Sequence, residues 1–204
     1  MRPARHRPYR AALPIAFFAA AGASALGPTN ATAQDPNPDV RFVQGMIHHH
    51  AQALVMTDLL TSRSQTEAMH LLAERITVSQ RDEIGLMRRW LTARQADVPQ
   101  PPVTLDQTAG HHGHGMMMPG MLSDAQLQQL AAASGAEFDR LFLTFMIRHH
   151  EGALTMVTDL FATPNAGQDS WIYQFASDVD ADQRAEIARM RQMLTATTEP
   201  PHRR

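Results

Sequence analysis

Histidine and methionine recur together in this chain at helical spacing. Imidazole nitrogen with thioether sulfur is a donor set that selects soft cations, Cu(I) above all, with Ag(I) as its chemical mimic. The first group is Met46, His49, His50 and Met56; the second is Met146, His149, His150 and Met156. On a helix turning about 100° per residue, Met46 lies within one turn of both histidines, and Met56 points about 20° away from His49. Glu83 and Glu186 are followed four residues later by Met87 and Met190. They complete such a site or orient a histidine from behind. Asp39 and Asp139 share the histidine-bearing faces, as alternative ligands or as groups that steady a ligand from behind, and His70 with Glu74 makes another single-turn pair. Adjacent histidines point about 100° apart, so one of each pair suffices for the site while the other can face the surface.

Two plainer readings stand beside this one. Methionine at a helix seam fills irregular gaps in a core, and a buried His-Gln-Glu cluster can be a satisfied hydrogen-bond network that fixes which helices pair. Against them stands coincidence, because the pattern occurs twice with acids and methionines opposite it. A third concentration lies between the two groups, where His111, His112 and His114 precede Met116, Met117 and Met118 among glycines. Such tracts bind metal. A hydrophobic clasp over the core accounts for the methionines of this tract but not for its histidines.

These residues need elements to hold them. Residues 39–60 repeat at an offset of one hundred: Asp39, Phe42, Met46, Ile47, His49, His50, Ala53, Leu54, Met56 and Leu60 recur at 139–160. A second block, from Ala73 through Gln80, Arg81, Glu83, Ile84, Met87 and Arg88 to Leu91, recurs at an offset of 103. Both blocks advance by steps of three and four, which keeps one face of an α-helix. Each unit is therefore a helix, a turn and a returning helix, and two such hairpins make an all-α four-helix bundle. The spacing predicts hairpins over 39–95 and 123–197 with a His/Met-rich linker over 96–122. Asp39 after Pro38 and the boxes Ser64-x-x-Glu67 and Ser123-x-x-Gln126 mark helix starts. Pro99, Pro101 and Pro102, then Pro164 with Gly167, then Pro200 and Pro201, mark the stops.

The absence of cysteine among 204 residues excludes disulfide scaffolds, zinc ribbons and thiol enzymes. All 18 basic residues are arginine and the net charge is −2, so no broad basic surface offers itself to nucleic acid. Arg2, Arg5, Arg7 and Arg10, the apolar run from Ala11 to Ala25 and the small residues Ala31 and Ala33 read as a secretory signal over 1–33, cleaved after Ala33. Removing it leaves 14 basic groups against 20 acidic ones, with no stable membrane anchor. The expectation is a mildly acidic protein of the periplasm or the exterior, where thiols are lost to disulfides and thioethers still bind Cu(I).

Asp39-x-x-Phe42-x-x-x-Met46-Ile47-x-His49-His50, the Gln80-x-x-Glu83-Ile84-x-x-Met87 block, the His/Met loop and the second Met-Ile-x-His-His copy resemble domain of unknown function 305. That family includes periplasmic copper-binding proteins of the CopM type. The resemblance covers about residues 36–196 and implies a ferritin-like bundle, an exported location and, for some members, copper binding tied to copper resistance. Departures from exact repetition are His48 against Arg148 and Ala51 against Glu151. The leading expectation is thus an exported, non-enzymatic Cu(I) or Ag(I) binder for buffering, transfer or resistance, with a copper-transfer protein as its partner. One alternative is a non-metal helical interaction module with a buried polar network. The other is a di-iron oxidase, which lacks here the Glu-x-x-His motif such sites use.

Overall fold

The computed structural model describes residues 37–105 and 118–198. The predicted signal segment and residues His111, His112, His114, Met116 and Met117 of the linker lie outside them. Five helices occur among the described residues: α1 (Pro38–Arg63), α2 (Glu67–Ala93), α3 (Asp124–Ala132), α4 (Gly135–Ala162) and α5 (Ser170–Thr198). The four long ones pair as two helical hairpins, α1 with α2 and α4 with α5, joined along α1 and α4. None is long and apolar enough to cross a membrane.

The helix ends differ in detail from the sequence reading. The cap of α1 is Asn37, whose side chain accepts from the Asp39 N–H (2.9 Å), with Pro38 in the first turn, where its missing N–H costs nothing. Ser123 and Gln126 form the expected reciprocal box at the start of α3. Ser64 and Glu67 do not, and α2 begins at Thr66 without a side-chain cap. The Ser64 N–H instead closes the end of α1 on the Leu60 carbonyl, and its hydroxyl accepts from the Thr66 N–H. The prolines at 99–102 arrive after α2 has stopped. Gln95 (φ 57°) adopts the left-handed conformation, and the N–H groups of Gln95 and Ala96 close on the carbonyls of Thr92 and Leu91, a Schellman ending. The second unit also carries the extra short helix α3 ahead of its hairpin.

α1 and α4 run antiparallel. Asp39, near the start of α1, accepts the Gly167 N–H beyond the end of α4 (2.7 Å), and Asp139, near the start of α4, accepts from the Thr66 hydroxyl beyond the end of α1 (2.6 Å). The buried apolar residues fall into two clusters. One holds Met46, Ile47 and Val43 with Ile84, Met87, Leu91, Val157 and Ile172. The other holds Met56 and Leu60 with Met69, Ile76, Phe138, Phe142, Met146 and Met190. Each large apolar side chain so buried contributes about 1.5–3 kcal/mol against exposure. α2 and α5 approach through side chains at one end, where Trp90 stacks on Trp171 (5.5 Å) and Trp171 on Phe175 (4.9 Å). Arg94 covers Trp90 and pairs with Asp169 (2.7 Å).

Candidate metal centre

At the middle of the α1 and α4 contact, the polar residues of the repeats form a belt between the two apolar clusters. His49 meets His149 with ring centroids 3.9 Å apart and planes tilted by 38°. His50 and His150 turn away toward the outer helices. All four imidazoles are at most 1% exposed. The Nε2–H of His50 donates to Glu83 Oε2 on α2, and that of His150 to Glu186 Oε2 on α5, each at 2.5 Å. A carboxylate only accepts, so each ring carries a proton on Nε2. In the neutral ring Nδ1 then keeps a free lone pair, and in both residues Nδ1 is buried without a hydrogen-bond partner. A carboxylate gripping one ring nitrogen while the other stays bare is the arrangement that orients metal-ligating histidines.

His49 is held differently. Its Nε2–H donates to the Pro119 carbonyl (3.1 Å), in a strap of chain, Met118–Leu122, that crosses the pair of helices. Gln52 clamps the strap from both sides, donating to the Leu122 carbonyl (2.9 Å) and accepting its N–H (2.7 Å). Glycines make the crossing possible: a Cβ on Gly152 would stand 2.0 Å from the Pro119 oxygen, and one on Gly120 (φ 76°) 2.5 Å from the Arg148 carbonyl oxygen. His149 has no such strap, and its Nε2 is buried without a partner.

Charge is disfavoured at the centre. Burial, reinforced by the neighbouring His50, lowers the pKa of His49 to about 3 despite the bond to Pro119. Burial and the surrounding His49, His150 and His50 hold His149 well below its ordinary range. Burial works to raise Glu83, but the hydrogen bond from His50, with that from the Ser79 hydroxyl (2.9 Å), outweighs it and keeps the carboxyl low. The place matching Ser79 in the second half is Asp182, raised by burial and by Glu83, Glu186 and Asp178. The halves therefore share a skeleton and differ in their charges. Glu83, Asp178 and Asp182 line a groove between α2 and α5.

Of the residues singled out from the sequence, the belt brings together His49, His50, His149, His150, Glu83 and Glu186. Met46, Met56, Met87, Met146 and Met190 are fully buried in the flanking clusters, whereas Met156 and Met118 are half-buried at the surface. Asp39 and Asp139 are not at the belt. Each lies ten residues from its histidine, about 15 Å along a helix, and ties down a loop. His70 donates to the Ser64 carbonyl (3.1 Å) and caps α1 rather than joining Glu74, and His48 is exposed. Among the described residues no three His, Asp or Glu side chains gather into a metal-holding group, so a closed site at the belt needs a thioether among its donors. A clasp over the core is one of the sequence readings of the linker, and the strap lies where such a clasp would; its hydrogen-bonded seat is absent from the sequence reading. A signal exists at the offset of one hundred, where Gly152 stands against Gln52 and Gly45 against Phe145.

The model of the family described as domain of unknown function (DUF305) matches residues 39–194. No curated protein matches the chain. Among solved structures, a DUF305 fragment from Deinococcus radiodurans is 30% identical, with 79% of this chain and 97% of that one covered and a TM-score of 0.65. A DUF305 protein from Streptomyces coelicolor, 23% identical over 82% of this chain and 98% of that one, superposes with a TM-score of 0.67. CopM in the Cu(I)-bound form is 25% identical, with 79% and 98% covered and a TM-score of 0.60. With the family's model spanning both hairpins and the belt between them, this chain belongs to DUF305.

Proposed function

We propose that the chain is an exported, non-enzymatic metal-binding protein that takes a soft cation, Cu(I) with Ag(I) as mimic, at the histidine belt, for copper buffering, transfer or resistance. The observation that carries this reading is the set of three buried imidazole nitrogens without partners, Nδ1 of His50 and His150 and Nε2 of His149. Leaving a buried polar group unsatisfied costs about 1–3 kcal/mol, and a cation bound to such a nitrogen, with a thioether beside it, removes that cost. Met46 and Met146, three residues before His49 and His149 and fully buried, supply sulfur on each helix. The carboxylates of Glu83 and Glu186 are engaged by imidazole N–H groups, so they serve as orienting partners. Nitrogen and sulfur without free oxygen suit a soft ion. CopM, 25–28% identical, has been solved with Cu(I), Cu(II) and silver bound, which agrees with this choice of cargo. The signal-like segment over 1–33 supports export to the periplasm or beyond.

The test is anaerobic Cu(I) loading of protein purified from cells expressing the full chain, read by native mass spectrometry. A combined His50→Ala, His149→Ala and His150→Ala variant, checked for helicity by circular dichroism, loses at least one bound ion. Unchanged copper number and affinity in a folded variant overturns the assignment. Glu83→Gln with Glu186→Gln leaves the ion number intact and weakens binding about 10–100-fold, the usual effect of removing a partner behind a ligating histidine.

A further inference from the structure

The belt is sealed, so an ion must enter it from some more exposed donor set, and the strap places one there. We propose that Met118 and Met156 form a second soft-cation site at the outer edge of the belt, through which Cu(I) or Ag(I) passes between solvent and the histidines. This rests on the metal-binding reading above. Both thioethers converge on Gly45: the place its Cβ would occupy is 3.3 Å from Met156 Cε and 3.4 Å from Met118 Sδ. Glycine inside a helix costs about 0.5–1 kcal/mol against alanine, and the matching place in α4 is filled by Phe145. The first half has given up a large side chain where the two methionines meet. Met118 is held in place, because the next residue, Pro119, accepts from His49 and Leu122 is clamped by Gln52. Both methionines are half-buried, so an ion reaches them from solvent, and one peptide unit separates Met118 from the carbonyl bonded to the belt. Two thioethers match a soft monovalent cation better than a hard divalent one, and Glu151, the carboxylate that lines the same groove as Met118, is paired with Arg191 (2.6 Å).

The probe is Ag(I), titrated into protein carrying 13C-labelled methionine methyl groups, with signals assigned by Met→Leu substitution. The Met118 and Met156 methyl signals shift together with the same saturation curve, and they still do so in the His50, His149 and His150 triple-alanine variant. A Met118→Leu, Met156→Leu variant, which keeps the apolar volume, loses one silver ion by native mass spectrometry and fills the histidine belt at least tenfold more slowly. Silver number and filling rate both unchanged in that variant, or methyl signals of the two residues that shift independently, overturns the relay site. The two readings fail separately: a triple-alanine variant that keeps every ion refutes the belt, whereas a leucine variant that keeps every ion refutes the methionine pair.

Discussion

A neutral imidazole in a dry core is held there at the expense of its basicity, and at the belt this has a measurable outcome. In the unfolded chain His49 and His149 protonate near their ordinary value of 6.5, whereas in the folded protein His49 does so only at about 3 and His149 is likewise lowered. Between those values the unfolded state binds more protons, so stability falls as pH drops below 6.5. Glu83, lowered from 4.5, adds a further loss below that pH. Urea unfolding of the metal-free protein between pH 4 and 5.5 therefore shows a stability that declines with acid. His49→Gln with His149→Gln flattens the decline by up to about 1.4 kcal/mol per pH unit for each histidine removed. An unchanged slope refutes the neutral pair. That Glu83 and Glu186 face the histidines is legible in the sequence because spacing by three and four reports which face a residue occupies; which histidine each one grips is not. Asp39 and Asp139 carry the same signature and do something else, since periodicity does not report how far along the axis a partner lies.

At the scale of the element, a side chain's partner decides what a motif does. Ser64-x-x-Glu67 and Ser123-x-x-Gln126 read alike, yet only the second is a capping box, because the Ser64 hydroxyl is taken by the Thr66 N–H inside the turn. A clasp by the linker is legible in its methionines, but where it seats is not, for a related reason. Its seat consists of main-chain atoms and missing side chains, and neither leaves a periodic trace. Gly152→Ala drives a methyl group into the Pro119 carbonyl and unseats the strap. The expected cost is about 1–3 kcal/mol, as for other overpacked sites. Hydrogen exchange at residues 120–122 speeds up while α1 and α2 stay protected, and unaltered exchange there shows that the seat is not what holds the strap.

At the scale of the molecule, the two aspartates that do not reach the belt become the ties that set its register. Asp39 and Asp139 fasten opposite ends of the α1 and α4 pair to the loop of the other hairpin. Asp39→Ala leaves the buried Gly167 N–H unsatisfied and costs about 1–3 kcal/mol, whereas Asp139→Ala frees the exposed Thr66 hydroxyl to water and costs less, about 0.5–1.5 kcal/mol for the lost hydrogen bond. Their remote positions make the two losses additive in thermal or urea unfolding. The copper number stays unchanged in both, and a lost ion would return these aspartates to the list of ligands. The two apolar clusters carry a further consequence. Each is assembled from the first half of one helix and the second half of its antiparallel counterpart, so each hairpin owns half of two cores and the whole of neither. Were the hairpins separate chains, the histidine layer would lie on their dimer axis. The metal reading thus places the cargo at a symmetry element, and the strap, which among the described residues holds His49 and not His149, is what makes the two approaches to that axis unequal.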